Sequence, residues 1–409
     1  MNIRTITAGA REDEIERVGS AAQRARALLQ QAGYTVQTVR LSLLTSGSNR
    51  CADFVTVARG AEERALEAGF DMVSLGRIDL ERVEQVPAAI AATQQVSMSV
   101  KIAGRNGIAD PSAIRAAAQT IVTLAQNTPE GFGNFRFAAL ACVGPGSPFF
   151  PASHHMGGVP WLAIGPEAAA LAVEATGITN EQSDQEPTQP LRVSPEVALP
   201  VRPIPHAIPR LTALIERHDQ AIKTALSEIE PTYGVFVSGC DWSLAHSPHP
   251  SCSIGAAIEA LTGAPFGTWG TLAAVRSLTE SIQNARVNRI GFSGVMLPVM
   301  EDAVLAARGR SGPQGESGPA YYNLRDLLAF SAVCGTGLDM IPLPGDTSVN
   351  QVARILSEVA ALGGAWRKPL TARLLPLPGR KAGQPTAIDF QRFPELAGFL
   401  CQSRVMDVI

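Results

Sequence analysis

The sequence lacks the features of a membrane-spanning or secreted protein. No uncharged apolar run approaches the ~18 residues needed to cross a bilayer, and the segment 1–19 contains no apolar core of a secretory signal. The six cysteines are spread widely over 409 residues, a distribution typical of reduced thiols rather than of a disulfide framework. We therefore expect a cytoplasmic protein without a membrane partner.

A concentration of charge of one sign is also missing. The formal net charge is −3, charged residues make up only 17% of the chain, and Lys and Arg form no run. This composition gives no electrostatic reason to expect nucleic acid or an anionic membrane as a partner. A small-molecule substrate is the expected partner, and self-association into a homo-oligomer is compatible with the sequence.

The sequence is rich in apolar residues, arranged in alternating segments. Hydrophobic residues make up 45% of the chain, and strand-like and helix-like segments alternate about ten times, which predicts an α/β fold with a mostly parallel sheet, open or closed, and helices outside. The predicted strands include short ones at 289–292 and 405–409. We expect a single large domain over 1–409, interrupted at 180–205 by a Pro-rich polar excursion or linker.

The segment 233–250, YGVFVSGCDWSLAHSPHP, is the strongest candidate for a functional site. It begins with the apolar run of a buried strand and ends in a loop that carries an acid, a thiol and two imidazoles. Such side chains at the carboxyl end of a buried strand are typical of sites in α/β proteins. Asp241 here and Asp339 later lie among buried-strand residues, where a carboxylate is costly unless it is paired. Each is either functional or caps the backbone N–H groups of a loop.

Three other residue patterns leave alternatives open. Histidines near a carboxylate could bind a divalent metal, although the H-x-x-H spacing of His246 and His249 lies in a Ser/Pro loop and is not a metalloprotease signature. Cys240 or Cys334 could be a nucleophile or simply a buried thiol. Glu301 is either an acid favoured by a helix dipole or a group that faces the same pocket as Asp241.

Several segments resemble a prokaryotic family of unknown function, number seven hundred and eleven, most clearly over 233–377. These segments are NIRTIT at 2–7, DWSLA at 241–245, GTWGTLAAV at 267–275, LPVMED at 297–302 and CGTGLDMIPLPGDT at 334–347. Members of that family are similar in fold to pyruvate formate-lyase. The resemblance therefore implies a ten-stranded α/β barrel of two five-stranded halves, with helices outside. The residues that fall on the polar motif positions of the family are His155, Asp241, Ser243, Thr271, Glu301, Asp302, Cys334, Asp339, Asp346 and Thr347.

The sequence departs from glycyl-radical enzymes at one decisive point. Those enzymes carry Arg-Val-x-Gly-Tyr near the carboxyl terminus, whereas residues 397–409 read AGFLCQSRVMDVI. We therefore expect a non-radical enzyme of hydrolase, lyase or isomerase type, acting on a small polar metabolite by acid/base chemistry at the carboxyl ends of the strands. The alternative is a ligand-binding or regulatory protein without catalytic activity.

These hypotheses assign roles to particular residues. The predicted catalytic residues are Asp241, His155, Glu301, Asp339 and Cys334. The predicted substrate-binding residues are Ser243, His246, Thr271 and Thr347. No cofactor is identified apart from a divalent metal that His155, His246 and His249 could hold.

Overall fold

The computed structural model describes residues 1–44, 53–177, 206–315, 318–393 and 398–408. The Pro-rich segment predicted at 180–205 lies outside these residues. The strands are β1 (Ile3–Arg11), β2 (Val36–Leu44), β3 (Met72–Arg77), β4 (Val96–Ala103), β5 (Phe137–Ala141), β6 (Trp161–Pro166), β7 (Phe236–Cys240), β8 (Gly337–Pro344) and β9 (Leu370–Leu377). The α-helices are α1 (Ile15–Gln31), α2 (Phe54–Glu67), α3 (Val86–Ala91), α4 (Pro111–Asn127), α5 (Ala169–Thr176), α6 (Ala207–Ala225), α7 (Ile229–Tyr233), α8 (Ile254–Thr262), α9 (Thr271–Asn284), α10 (Ala303–Arg310), α11 (Leu324–Ser331) and α12 (Val349–Trp366). None of the described helices combines the length and the apolar composition that crossing a bilayer requires.

The nine strands form one sheet in the order β7-β6-β1-β2-β3-β4-β5-β9-β8. Strands β1 to β5 are parallel to one another, and β6 pairs with β7, and β8 with β9, in parallel. The two junctions β1–β6 and β5–β9 are antiparallel. The predicted α/β class with a mostly parallel sheet is confirmed.

Helices of the predicted type cover the sheet because their sequences place apolar residues at helical spacing. In α1, the residues Val18, Ala22, Ala25 and Leu29 lie on one face and are all buried. Helix α4 begins where the sequence indicates, since the side chain of Asp110 accepts hydrogen bonds from the first-turn amides. Local signals of this kind fix where the outer helices begin and which face they bury.

The segment 289–298 differs from its prediction. Instead of a regular strand at 289–292 it forms isolated parallel bridges, which pair Cys240 with Arg289, Leu244 with Val295 and Pro298 with Asp339. Two residues with positive φ interrupt the extended backbone here, Gly291 at 62° and Ser293 at 43°. The segment thus contacts the carboxyl end of β7 and the residues that follow it on one side, and β8 on the other. The strand predicted at 405–409 is likewise absent over the described residues 405–408.

The loop between β5 and β6 packs against the face of the first strands. The hydroxyl of Thr7 donates to the carbonyl of Pro148 at 2.7 Å, and that of Ser74 donates to the carbonyl of Ser153 at 2.9 Å. The indole of Trp161 lies only 2.1 Å from where a Cβ of Gly9 would be, so only glycine fits at that position. This face of the sheet is therefore covered by polar and aromatic groups of the chain itself.

Two β-bulges change the direction of charged side chains. Between Ile3 and Thr5 the strand β1 has one residue more than its partner β6, and that extra residue is Arg4. A second bulge adds one residue to β8 opposite β9, next to Asp339, where Met340 has a φ of 52°. Bulges re-aim neighbouring side chains, and these two lie at charged residues, Arg4 and Asp339.

Candidate functional site

Glu301 lies at the centre of a charged cluster. Its Oε1 accepts a hydrogen bond from Nη2 of Arg373 at 3.1 Å, and its Oε2 accepts from Nη2 of Arg4 at 3.3 Å and contacts Nε2 of His246 at 3.0 Å. Burial acts to raise the pKa of Glu301, but the charge of Arg373 and then the contacts with His246 and Arg4 hold that pKa below its usual value. The carboxylate is therefore ionised at neutral pH.

The contact with Glu301 fixes the tautomer of His246. An ionised carboxylate only accepts hydrogen bonds, so the proton of the neutral imidazole resides on Nε2. The other ring nitrogen, Nδ1, is buried and has no hydrogen-bond partner among the described residues. A histidine that a carboxylate orients, with its second nitrogen bare, has the arrangement of a general base.

Arg4 and Arg373 extend the cluster to two further acids. Nη1 of Arg4 lies 3.5 Å from Oε1 of Glu167, and the side chain of Arg373 donates from Nε to Oδ1 of Asp339. Burial acts to lower the pKa of Arg373, but Asp339 and Glu301 outweigh it and raise that pKa above its usual value. Both guanidinium groups are thus bound to carboxylates at two points.

Arg40 is the third arginine of the cluster and has different contacts. Its Nε donates to Oγ1 of Thr38 at 3.0 Å, and its guanidinium carbon lies 5.3 Å from the centroid of the Phe150 ring. Burial, and then the charge of Arg4, lower the pKa of Arg40 to about 9. Among the described residues no carboxylate lies within salt-bridge distance of it.

The comparison with known proteins identifies the family. Residues 1–390 match the family described as Uncharacterised ACR (DUF711). The chain belongs to this family. Its relatives include a UPF0210 protein of Methanosarcina acetivorans, 28% identical over 89% of this chain and 75% of the relative. Another from Pyrobaculum islandicum is 27% identical over 91% of this chain and 80% of the relative. One from Clostridium perfringens is 24% identical over 85% and 74%. The family membership inferred from the sequence motifs is confirmed, and the names of these relatives state no activity.

In this family member the structure brings together three of the predicted site residues. His246 and Glu301 are in direct contact, and Asp339 joins them through Arg373. Glu167, which the sequence did not single out, lies directly after β6, while His246 lies in the loop that follows β7. Glu167 and His246 thus follow the carboxyl ends of β6 and β7, which are next to one another in the sheet, whereas Asp339 is the third residue of β8.

Asp241 is predicted as a catalytic residue, but its oxygens are occupied by its own surroundings. They accept from the hydroxyl of Ser243 at 2.7 Å and from the amides of Phe292 and Ser293 at 2.8 Å each. Burial raises the pKa of Asp241, and these hydrogen bonds oppose that rise. The carboxylate ties the end of β7 to the loop 291–294, which is the capping alternative named above. Catalysis by Asp241, and substrate binding by Ser243, stay predictions.

The predicted metal set His155, His246 and His249 is not assembled. Nδ1 of His155 accepts from the indole N–H of Trp161 at 2.9 Å, whereas Nδ1 of His249 lies 2.7 Å from the hydroxyl of Ser251. Within the described ranges, no three His, Cys, Asp or Glu side chains form a group that could hold a metal ion. Burial lowers the pKa of His155, so its imidazole is neutral near pH 7.

The remaining predicted residues bond within their own segments. Oγ1 of Thr271 accepts from the amide of Gly267 at 3.0 Å, and Oγ1 of Thr347 donates to the carbonyl of Pro344 at 2.6 Å. Cys334 is fully buried in the hydrophobic core. None of these three contacts the charged cluster in the hydrogen bonds and ion pairs of the described residues, and their predicted roles stay untested.

Sequence reasoning missed the three arginines. Each lies inside an apolar strand, in the segments NIRTIT, TVRLSLL and TARLLPL. A charge among buried-strand residues is costly unless it is paired. This is the same signal that drew attention to Asp241 and Asp339, and applied to basic residues it would have found Arg4, Arg40 and Arg373.

Proposed function

We propose that this chain is a non-radical enzyme that acts on a small polar metabolite by acid/base chemistry, with His246 as the proton acceptor. The observation that supports the proposal is that one ring nitrogen of His246 has no hydrogen-bond partner among the described residues. Nδ1 of His246 is buried and without a hydrogen-bond partner among the described residues, while Nε2 is held by Glu301. A buried polar atom without a partner is costly and calls for an explanation, of which a catalytic role is one.

In this proposal Nδ1 of His246 takes a proton from the substrate or from a water molecule that attacks it. The electron pair of the broken bond stays with the substrate or the attacking oxygen. The ring becomes a cation, which Glu301 stabilises because it is already ionised and bonded to Nε2. The imidazolium then returns the proton to the product. Hydrolysis, elimination and isomerisation all proceed through such a transfer.

We also propose that the sheet closes into a ten-stranded barrel like that of pyruvate formate-lyase. Strands β1 to β5 would be one half, and β6, β7, the segment 289–298, β8 and β9 the other. Support comes from the parallel bridges that join this segment to Leu244 on one side and to Asp339 on the other. The charged cluster would then lie at one end of the barrel, beyond the carboxyl ends of β6 and β7.

Proton exchange tests the catalytic proposal whatever product the reaction forms. The purified chain is incubated in D₂O with a panel of small hydroxy acids, amino acids, amides and sugar phosphates, and loss of C–H signals or of substrate is followed by proton NMR. We expect at least one compound to react. His246→Gln should then slow its reaction by about 10²- to 10⁴-fold, the usual contribution of a general base.

His206→Gln is the matched control, because His206 is exposed and lies outside the cluster. It should react like the wild type. A His246→Gln variant that folds and reacts at the wild-type rate would contradict the proposal.

The alternative of a binding protein without catalysis has one observation in its favour. Both oxygens of Glu301 are already bonded, to Arg373 on one side and to Arg4 and His246 on the other. A network of this kind can hold a ligand in place without moving a proton. Compounds of the panel that bind but show neither exchange nor turnover would favour this alternative.

A further inference from the structure

Arg40 stands apart from the other arginines of the charged cluster. The three acids Glu167, Glu301 and Asp339 are each bonded to Arg4 or Arg373. Toward the described residues, the side chain of Arg40 donates only from Nε, to Thr38. Both Nη nitrogens of Arg40 therefore lack a protein partner in the part of the chain that the structure describes.

The surroundings of Arg40 make its charge costly. The side chain is half-buried, and desolvation and then the charge of Arg4 lower its pKa, with Arg373 acting in the same direction. The charges of Glu301 and Asp71 oppose this shift without contacting the guanidinium. An arginine stays protonated near neutrality, so the site holds a cation that nearby carboxylates do not pair. Charge-assisted hydrogen bonds to an anion would offset that cost.

The geometry of Arg40 suits an anion that presents two oxygens side by side. Its Nε is fixed by Thr38, and its guanidinium lies over the ring of Phe150, which restricts the rotation of the group. The two Nη nitrogens then present parallel N–H donors, the arrangement that binds the two oxygens of a carboxylate or phosphate.

We propose that Arg40 binds the anionic oxygen group, a carboxylate or a phosphate, of the metabolite on which this protein acts. That the bound molecule is a substrate rests on the function proposed above. The anion site itself rests only on the contacts of Arg40. The two sites are neighbours, because Glu301 is bonded to His246 and its charge also acts on Arg40.

Equilibrium binding of two simple anions tests the inference. Inorganic phosphate and acetate are titrated separately into the full chain, as wild type, Arg40→Gln, Arg40→Lys and Arg115→Gln, and binding is measured by calorimetry. We expect at least one anion to bind the wild type. Arg40→Gln should weaken it by about 10- to 100-fold, as expected for a lost charged hydrogen bond.

The other variants control for charge and for folding. Arg40→Lys should bind with intermediate affinity, since it keeps the charge and loses the two-pronged donor. Arg115→Gln makes the same change on the exposed side of α4 and should leave binding unchanged. Without added anion, Arg40→Gln should melt at or above the wild-type temperature, because it removes an unpaired charge.

The outcomes separate this inference from the proposed function. Wild-type protein that binds neither anion, or Arg40→Gln or Arg40→Lys that binds as tightly as wild type, would overturn the anion site. His246→Gln should bind the anion normally, so loss of its turnover alone bears on catalysis and not on Arg40. Preference for phosphate or for acetate identifies which anionic group the metabolite carries.

Discussion

At the scale of single residues, the cluster depends on the ionisation of Glu301. Three donors share its two oxygens, and its side chain is only 13% exposed. Two of these donors are arginines that remain charged whatever happens to the acid. Removal of Glu301 is therefore destabilising, because it leaves Arg4 and Arg373 with one carboxylate fewer in a partly buried site.

Replacement of Glu301 by Gln tests this dependence. We expect Glu301→Gln to lower the free energy of unfolding by about 3–5 kcal/mol, the usual cost of removing one partner from a buried ion pair. Urea denaturation of wild type and variant at pH 7 provides the measurement. Glu358→Gln, on an exposed face of α12, should change it by less than about 0.5 kcal/mol. Equal effects of the two substitutions would refute the assignment.

The same carboxyl predicts a pH dependence. The pKa of Glu301 in the folded protein lies below its usual value of 4.5. Below about pH 4.5 the unfolded state therefore binds more protons than the folded state. Its contribution to stability is fully present above about pH 4.5 and is lost as the pH falls further. Between pH 5 and pH 3, wild-type stability should therefore fall more steeply than that of Glu301→Gln. Parallel curves would show that Glu301 is not held in its ionised form.

At the scale of secondary-structure elements, local sequence predicted the helices and most strands but not the bulges next to the charged side chains. The capping Asp110 and the apolar face of α1 are visible in the sequence because they depend on neighbours a few residues away. The bulges at Arg4 and Asp339 depend on the register between strands that are far apart in the chain. No local pattern indicates them, although they decide which way two charged side chains point.

The packing of β1 against Trp161 gives a prediction at this scale. Gly9→Ala would place a Cβ 2.1 Å from the indole, so Trp161 or the strand must move, and we expect a loss of about 1–3 kcal/mol in unfolding free energy. Gly60→Ala makes the same change in α2, where nothing lies within 4 Å. There it should add about 0.5–1 kcal/mol. Urea denaturation distinguishes the two, and a gain in stability for Gly9→Ala would contradict this packing.

At the scale of the whole molecule, the alternation of strands and helices predicted the fold class, while the order of strands needed the structure. The antiparallel junctions β1–β6 and β5–β9 join segments that are far apart in the sequence, and no turn motif marks them. The barrel hypothesis came from the family resemblance, because composition and spacing do not show whether the sheet closes. The segment 289–298 is where that hypothesis can be tested.

Hydrogen exchange measures whether this segment behaves as a strand. Three backbone hydrogen bonds join the segment to its neighbours. The amides of Leu244, Ile290 and Val299 donate to the carbonyls of Gly294, Cys240 and Asp339, at 2.8, 3.2 and 3.2 Å. If the barrel closes here, these amides should exchange about as slowly as those of β1, because exchange would need an opening of the sheet. Exchange as fast as in the exposed turn 104–108 would mean that the two edges are not joined by stable hydrogen bonds.

The most direct test of the central claim is the tautomer of His246. Long-range ¹H–¹⁵N NMR of protein labelled at its six histidines, assigned with His246→Gln, reports which ring nitrogen carries the proton. We predict that the neutral ring carries its proton on Nε2 and leaves Nδ1 bare, with this preference weakened in Glu301→Gln. A neutral ring with its proton on Nδ1 in the wild type would contradict the claim that Glu301 orients His246. A tautomer preference that is unchanged in Glu301→Gln would also contradict it.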